Sequence, residues 1–150
     1  MRIAITGSSG QLGQALQEAF AAHTLLLMHR PDHDITQLGR IIEALGAFHP
    51  DVILHAAAMT DVDGCERNPD LAYSVNVVGT RNVAVAAQQC GAALAYISTD
   101  YVFAGDRREP YWEYDQPNPQ SVYARAKWAG EQVVRDLLTR FYIVRVAWLY

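Results

Sequence analysis

The chain has 150 residues, 51% of them apolar, and a formal net charge of −4, enough for one domain with a sizeable buried core. An acidic balance without a local Lys/Arg run argues against a nucleic-acid or anionic-membrane partner, and no apolar stretch is long enough to span a bilayer. Two cysteines, Cys65 and Cys90, form neither a disulfide framework nor a C-x-x-C pair, so the expected setting is a reducing cytoplasm.

In chain order, RIAIT (2–6) is β-branched, short and closed by Gly7, which reads as a buried strand. Leu12, Ala15, Leu16, Ala19 and Phe20 then recur at helical spacing. TLLLMH (24–29) is a second strand, and Ile35, Leu38, Ile41, Ile42 and Leu45 mark a helix that Gly46 and Pro50 are expected to end. DVILHAAA (51–58) is a third strand running into small residues, and Asn68-Pro69 opens a long helix reaching Gly91. ALAYIS (93–98) is strand four, a helix starts near Ser121, and FYIVRVAWLY (141–150) is strand five. The segment 104–120 is the one long irregular stretch, and its Tyr111, Trp112 and Tyr114 speak for order rather than disorder. Apolar strands alternating with helices predict an α/β fold: a doubly wound Rossmann-type parallel sheet with helices on both faces. The stop at WLY, with no closing helix or polar tail, is expected to leave a single incomplete domain, 1–150, without a C-terminal substrate lobe.

Two groups of residues carry chemistry. Gly7, Gly10 and Gly13 fall between the first strand and the first helix. There they permit a tight turn, a close backbone approach to a pyrophosphate, and close helix–strand packing, with the helix N-terminus facing the phosphates. The spacing is G-x-x-G-x-x-G rather than G-x-G-x-x-G, and its place at the first strand–helix junction is what gives it weight. At the tip of the second strand Arg30, followed by Asp32 and Asp34, favours NADPH over NADH, with NADH allowed.

The second group is Tyr123 and Lys127, the sole lysine of the chain. With 8 tyrosines, one falls four residues before a given position in roughly one case in twenty. The spacing puts both on one helix face, near the carboxyl ends of the strands where ligands bind in such sheets. Ser98-Thr99-Asp100 closes strand four at the same rim. Reduction of a ketone by hydride needs a proton donor, and Tyr123 fits if a nearby ammonium and an oxidised nicotinamide lower its pKa. Thr99 would hydrogen-bond the substrate oxygen, and Lys127 would also reach ribose hydroxyls. His29 and His33 are separated by Pro31, which removes the helical geometry of a ligand pair, so no metal site is expected.

The glycine turn, S-T-D and Y-x-x-x-K together resemble the extended short-chain dehydrogenase/reductases. HAAAMTDVDGCE (55–66), VNVVGT (75–80), STDYVFAG (98–105), PYWEYDQPNP (110–119) and RVAWLY (145–150) are more narrowly similar to the dTDP-4-dehydrorhamnose reductase family. That resemblance implies NADPH- or NADH-dependent reduction of the 4-keto group of a dTDP-sugar, in dTDP-L-rhamnose formation. By motif position, Gly7, Gly10, Gln11, Leu12 and Gly13 would hold the pyrophosphate, Asp34 and Ile35 the adenine, and Ala57, Ala58 and Thr60 the rest of the cofactor. Thr99, Tyr123 and Lys127 would be the catalytic set, the last two also touching cofactor. Val62, Asp100, Tyr101 and Trp148, with Thr99, would meet the sugar. The implied partner is a small nucleotide sugar, and a homodimer is allowed. The sequence departs from the family at Ala124 and Ala126, where Gly and a hydroxyl residue are usual, and at His55, which replaces a frequent asparagine. Two other readings stand beside this one. One is another nucleotide-sugar epimerase or dehydratase of the same superfamily, the dehydratase being disfavoured by Tyr101 after Asp100. The other is a non-catalytic cofactor-binding subunit resembling the β subunit of methionine adenosyltransferase, disfavoured by the intact Thr99, Tyr123 and Lys127.

Overall fold

The structure is a computed structural model that describes residues 1–149. Five strands form one wholly parallel sheet in the order β2-β1-β3-β4-β5: β1 (Arg2–Thr6), β2 (Thr24–Met28), β3 (Val52–His55), β4 (Ala93–Thr99) and β5 (Phe141–Val146). The inner strands β1 and β4 are largely apolar and buried because both of their faces are covered. Edge strand β5 instead alternates, leaving Tyr142 and Val144 exposed.

Each crossover carries helix. α1 (Gln11–Ala19) packs on β1, and α2 (Leu38–Phe48) packs on α5 (Thr80–Cys90), which packs on α6 (Val122–Leu137). With right-handed crossovers this places α1 on one face and the α2–α5–α6 layer on the other. The core between that layer and the sheet is made by Met28, Ile41, Leu45, Ile53, Val83, Leu94, Tyr96 and Val134. Winding reverses between β1 and β3, and that switch point opens a crevice at the carboxyl ends of the strands.

The departures from the sequence expectation are local. Gly46 does not end α2; the helix runs on to Phe48 and stops at His49, which is left-handed (φ 49) just before Pro50. α2 also begins at Leu38 rather than Ile35, because Asp34 folds into a turn that holds the Thr36 N–H and hydroxyl at 2.9 and 2.8 Å. β3 leaves the ladder at His55, so 56–58 run free of the sheet. A short helix, α3 (Val62–Arg67), is started by Asp61, whose side chain accepts from the Gly64 N–H at 2.9 Å. Asn68 caps α4 (Pro69–Tyr73) as expected, accepting from the Leu71 N–H at 3.1 Å. Between α4 and α5 the backbone widens into a π turn, Ser74–Gly79. β5 ends at Val146, four residues short of the expected span, and the last of those four, Tyr150, lies outside the described residues. Segment 104–120 is ordered around Tyr111, which stacks on Phe103 (centroids 4.4 Å apart) and bonds the Gly105 and Asp106 amides through its hydroxyl.

Candidate active site

A cleft of about 1030 Å³ opens along the carboxyl ends of the strands. Its first wall is backbone. Gly7 sits at φ 67, and a Cβ there would lie 2.8 Å from the backbone of Ala57. Gly13 is tighter still: a Cβ would meet the Gly7 carbonyl oxygen at 2.3 Å and Ser8 Cα at 2.7 Å. β1, the turn and α1 therefore approach more closely than any side chain permits. Gly10 caps α1 without a side chain, so the first-turn amides of the helix are left facing the cleft. Gln11, Leu12, Ala57, Ala58 and Thr60 continue this wall. At its outer end stand Arg30, Asp34 and Ile35, with His29 and His33 beside them. Thr36 binds the Asp34 carboxylate and lowers its pKa, helped by Arg30 and Arg40.

The second wall is made of side chains from β4 and α6. Ser121 starts α6 by accepting from the Ala124 N–H at 3.1 Å, which sets the register that turns Tyr123 and Lys127 to the cleft. The two alanines that depart from the family, Ala124 and Ala126, are fully buried, where a small side chain lets α6 lie close to its neighbours. Thr99 donates its hydroxyl proton to Asp100 (3.1 Å) and accepts from the Tyr101 N–H (3.1 Å). Tyr101 meets Tyr123 edge to face at 6.0 Å. Val62, Trp148 and Leu149 line the open end, with Trp148 79% exposed. The residues expected to touch cofactor or substrate thus lie along one cleft, whereas Asp32, His55, Ala124 and Ala126 do not line it.

The electrostatics differ from the expectation. Burial pushes the Tyr123 phenol above its usual pKa, and interaction with the Thr99 hydroxyl opposes that. Lys127 is only 3% exposed, and burial pulls its pKa down to about 7 against the raising effect of Glu131. The ammonium does not turn toward Tyr123. It donates to the Ile97 carbonyl at 2.7 Å and lies 4.1 Å over the Tyr96 ring. So the chain by itself keeps Tyr123 protonated, and its lowered pKa is not a property of this wall alone.

Buried polar groups that the sequence did not assign to the site hold these walls. His55, the third departure from the family, is fully buried between Thr6 (Nδ1, 2.7 Å) and Thr80 (Nε2, 3.1 Å), with burial pushing its pKa down to about 3. The Thr80 hydroxyl proton goes to the Asn76 carbonyl at 2.8 Å. Thr80 must then accept from His55, which fixes the Nε2–H tautomer and leaves Nδ1 to accept from Thr6. Thr6 in turn accepts from the Ala57 N–H at 3.2 Å. Asn76, in the π turn, clamps Met59 through both its N–H and its carbonyl, at 2.8 and 3.0 Å. The cleft segment 57–59 is therefore hung on buried polar side chains. Its only signal in the sequence was a histidine inside an otherwise apolar strand.

Fold and cleft define the class: a doubly wound Rossmann-type α/β domain with a glycine turn on one side of its switch-point crevice and a tyrosine–lysine helix on the other. The model of the RmlD substrate binding domain family matches residues 1–150, and the chain belongs to that family. It is 43% identical to a dTDP-4-dehydrorhamnose reductase of Mycobacterium tuberculosis, over 99% of this chain and 50% of the relative. It is 33% identical to the spore coat polysaccharide biosynthesis protein SpsK of Bacillus subtilis, over 99% and 53%. Among solved structures, the dTDP-4-dehydrorhamnose reductase of Bacillus anthracis in complex with NADP superposes with a TM-score of 0.97 at 46% identity, over 99% of this chain and 54% of that one. WbmG of Bordetella bronchiseptica, in complex with NAD and UDP, superposes with a TM-score of 0.86 at 26% identity, over 97% and 52%. The chain spans about half the length of the curated relatives it matches. Among the described residues, no helix is long and apolar enough to cross a membrane.

Proposed function

We propose that this chain is the cofactor-binding and proton-donating part of an NADPH-dependent reductase acting on the 4-keto group of a dTDP-sugar. The observation that carries the reading is the convergence of Thr99, Tyr123 and Lys127 on the cleft whose opposite wall is the glycine turn. A dinucleotide fits that cleft: about 1030 Å³ of space and an uncapped helix N-terminus behind glycines that no Cβ could replace. Gly10, Gln11, Leu12 and Gly13 would hold its pyrophosphate, Ile35 and Asp34 its adenine end, and Ala57, Ala58 and Thr60 its middle. Arg30 stands beside Asp34, whose Oδ1 already accepts from Thr36, and a positive group there favours NADPH, with NADH allowed.

Bound NADPH supplies the hydride; the rest is done by this chain's side chains. The Thr99 hydroxyl leaves Asp100 to hydrogen-bond the sugar's carbonyl oxygen. Tyr123, kept protonated by burial, gives its proton to that oxygen as negative charge develops on it. Lys127, on the same helix face as Tyr123, would reach the ribose hydroxyls, and its positive charge stabilises the phenolate left behind. Val62, Asp100, Tyr101 and Trp148 are the side chains at the cleft's open end and would touch the sugar. The partner is thus a small nucleotide sugar, with no nucleic acid or membrane involved.

The test is NADPH consumption by the whole protein with dTDP-4-dehydrorhamnose, beside Tyr123→Phe. General acid catalysis is worth about 10²–10⁴-fold, so kcat should fall by that much. An unchanged kcat in the Phe variant defeats the mechanism. Tight NADPH binding with no turnover of any keto sugar points instead to a non-catalytic cofactor-binding subunit.

A further inference from the structure

One turn beyond Lys127 on the same face of α6 is a carboxylate that the reaction does not use. Glu131 is 0% exposed. Its Oε1 accepts from the Ser98 hydroxyl at 2.6 Å and from Arg145 Nε at 2.9 Å. Its Oε2 accepts from Arg145 Nη2 at 2.7 Å, with Arg135 Nη2 at 4.0 Å. Ser98 and Arg145 are register partners on β4 and β5, so one carboxylate ties the helix to two strands. Ser98 immediately precedes Thr99. Arg145 reaches on to the Glu113 carbonyl at 3.3 Å and lies 4.9 Å from the Phe103 ring, joining the ordered segment 104–120 to the same cluster.

A buried ion pair is weak support for stability as such, since well-packed apolar residues commonly replace one without loss. What an apolar set could not do is hold a charge of fixed sign one helical turn from a buried ammonium, hydrogen-bonded to the residue beside the substrate-facing threonine. We propose that Glu131 is a positioning residue of this site, fixing the Thr99 rim through Ser98 and keeping the Lys127 ammonium charged and in place, with Arg145 as its counter-ion. The inference rests on the reductase reading, because it assigns Glu131 a task in that reaction.

The charges around the pair are few. Lys127 shares its helix face with Tyr123 and Glu131, and meets Tyr96 on β4 and His55 on β3. Glu131 meets Arg145 on β5, Arg135 on α6, and Ser98 and Tyr96 on β4. Burial keeps both His55 and Tyr96 neutral near pH 7. Glu131 is therefore the group that opposes the loss of the Lys127 proton.

Glu131→Gln keeps an acceptor for Ser98 and removes the charge. In the whole protein, selective 13Cε-lysine labelling follows the titration of Lys127, assigned by the signal missing from Lys127→Met. The expected result is a midpoint about one pH unit lower in Glu131→Gln. With it goes a kcat reduced about tenfold at pH 8, a loss that shrinks at pH 6, where the lysine is recharged. A role confined to stability would lower the melting temperature and cut the rate equally at every pH. An unmoved lysine midpoint, a pH-independent rate loss, or a shifted midpoint with an unchanged rate each overturns the proposal. Should Glu131→Gln fail to fold, the apolar double variant Glu131→Met/Arg145→Met takes its place. It removes both signs of charge, so the lysine midpoint should fall by less but in the same direction, with a rate loss that again shrinks at pH 6. An unmoved midpoint or a pH-independent loss in that variant overturns the proposal. The titration needs no substrate. If the wild-type protein turns over no keto sugar, the reductase reading fails, and the lysine midpoint alone then decides for or against Glu131.

Discussion

On the β1–α1 side of the cleft the chain presents backbone: three glycines, helix amides without a side-chain cap, and small residues at 56–58. On the α6 side it presents ionisable side chains, a phenol, an ammonium and a carboxylate spaced four residues apart on one helix face. The first wall fails if anything is added at Gly7 or Gly13, because the backbone there already touches. The second fails if charge is changed, because Lys127 and Glu131 are held in a dry interior. A ligand resting on both walls would be gripped by fixed dipoles at one end and by titrating groups at the other, so steric and pH perturbations should separate them.

The largest effect is expected from Gly13→Ala. The added methyl would sit 2.3 Å from the Gly7 carbonyl oxygen, a backbone atom with no rotamer to escape into. Overpacking of this kind costs about 1–3 kcal/mol, and relief by moving α1 outward would carry its N-terminus away from the proposed pyrophosphate position. NADPH affinity measured by fluorescence should fall by at least about tenfold, together with the urea midpoint. Wild-type affinity would show that α1 is not the phosphate wall.

Next in size is the pH dependence that Lys127 imposes. Its folded pKa, about 7, lies below its ordinary 10.5. Between those values the unfolded chain binds more protons, so stability must rise with pH across that window, by at most about 1.4 kcal/mol per unit. Below pH 7 the full burial penalty is present. Lys127→Met removes the titration. Urea unfolding from pH 6 to 10 should show a flatter profile than wild type, with the variant ahead at pH 6 and its margin narrowing toward pH 10, while kcat is lost. Parallel profiles would mean that the lysine is solvated, and the second wall would then differ little from the first.

These two cases also mark what the sequence could and could not disclose. The glycine turn was legible because its constraint is local: a positive φ and a close approach require glycine whatever lies elsewhere. Tyr123 and Lys127 were legible because i,i+4 spacing is a helix property. Glu131 continues that spacing, yet its meaning depends on Ser98, 33 residues earlier, and Arg145, 14 later, and no periodicity links them. His55 stood out by composition, but its tautomer follows from Thr6 and Thr80 on other elements. The π turn is silent in sequence because Val75, Val77 and Val78 suit an α-helix equally well. A lowered tyrosine pKa was expected from an ammonium and a nicotinamide together; in the chain by itself, burial raises it and the Lys127 ammonium is bonded to the Ile97 carbonyl.

The smallest prediction uses the substitution made at Gly13, where the chain should welcome it. Gly46 was read as a helix terminator and proves to be inside α2, with nothing within 4 Å of the place a Cβ would take. A mid-helix glycine costs about 0.5–1 kcal/mol relative to alanine through the freedom it gives the unfolded chain. Gly46→Ala should therefore raise the melting temperature by about 1–4 °C. NADPH affinity should not move, since Gly46 lies off the cleft. One methyl group, added at two glycines of one chain, should then loosen a cofactor site in the first case and tighten the fold in the second. The sign is set by what already occupies the space: the Gly7 carbonyl at one position, open solvent at the other. A destabilised Gly46→Ala would mean that α2 ends near Gly46 in solution, as the sequence first indicated, with the glycine serving as its left-handed cap.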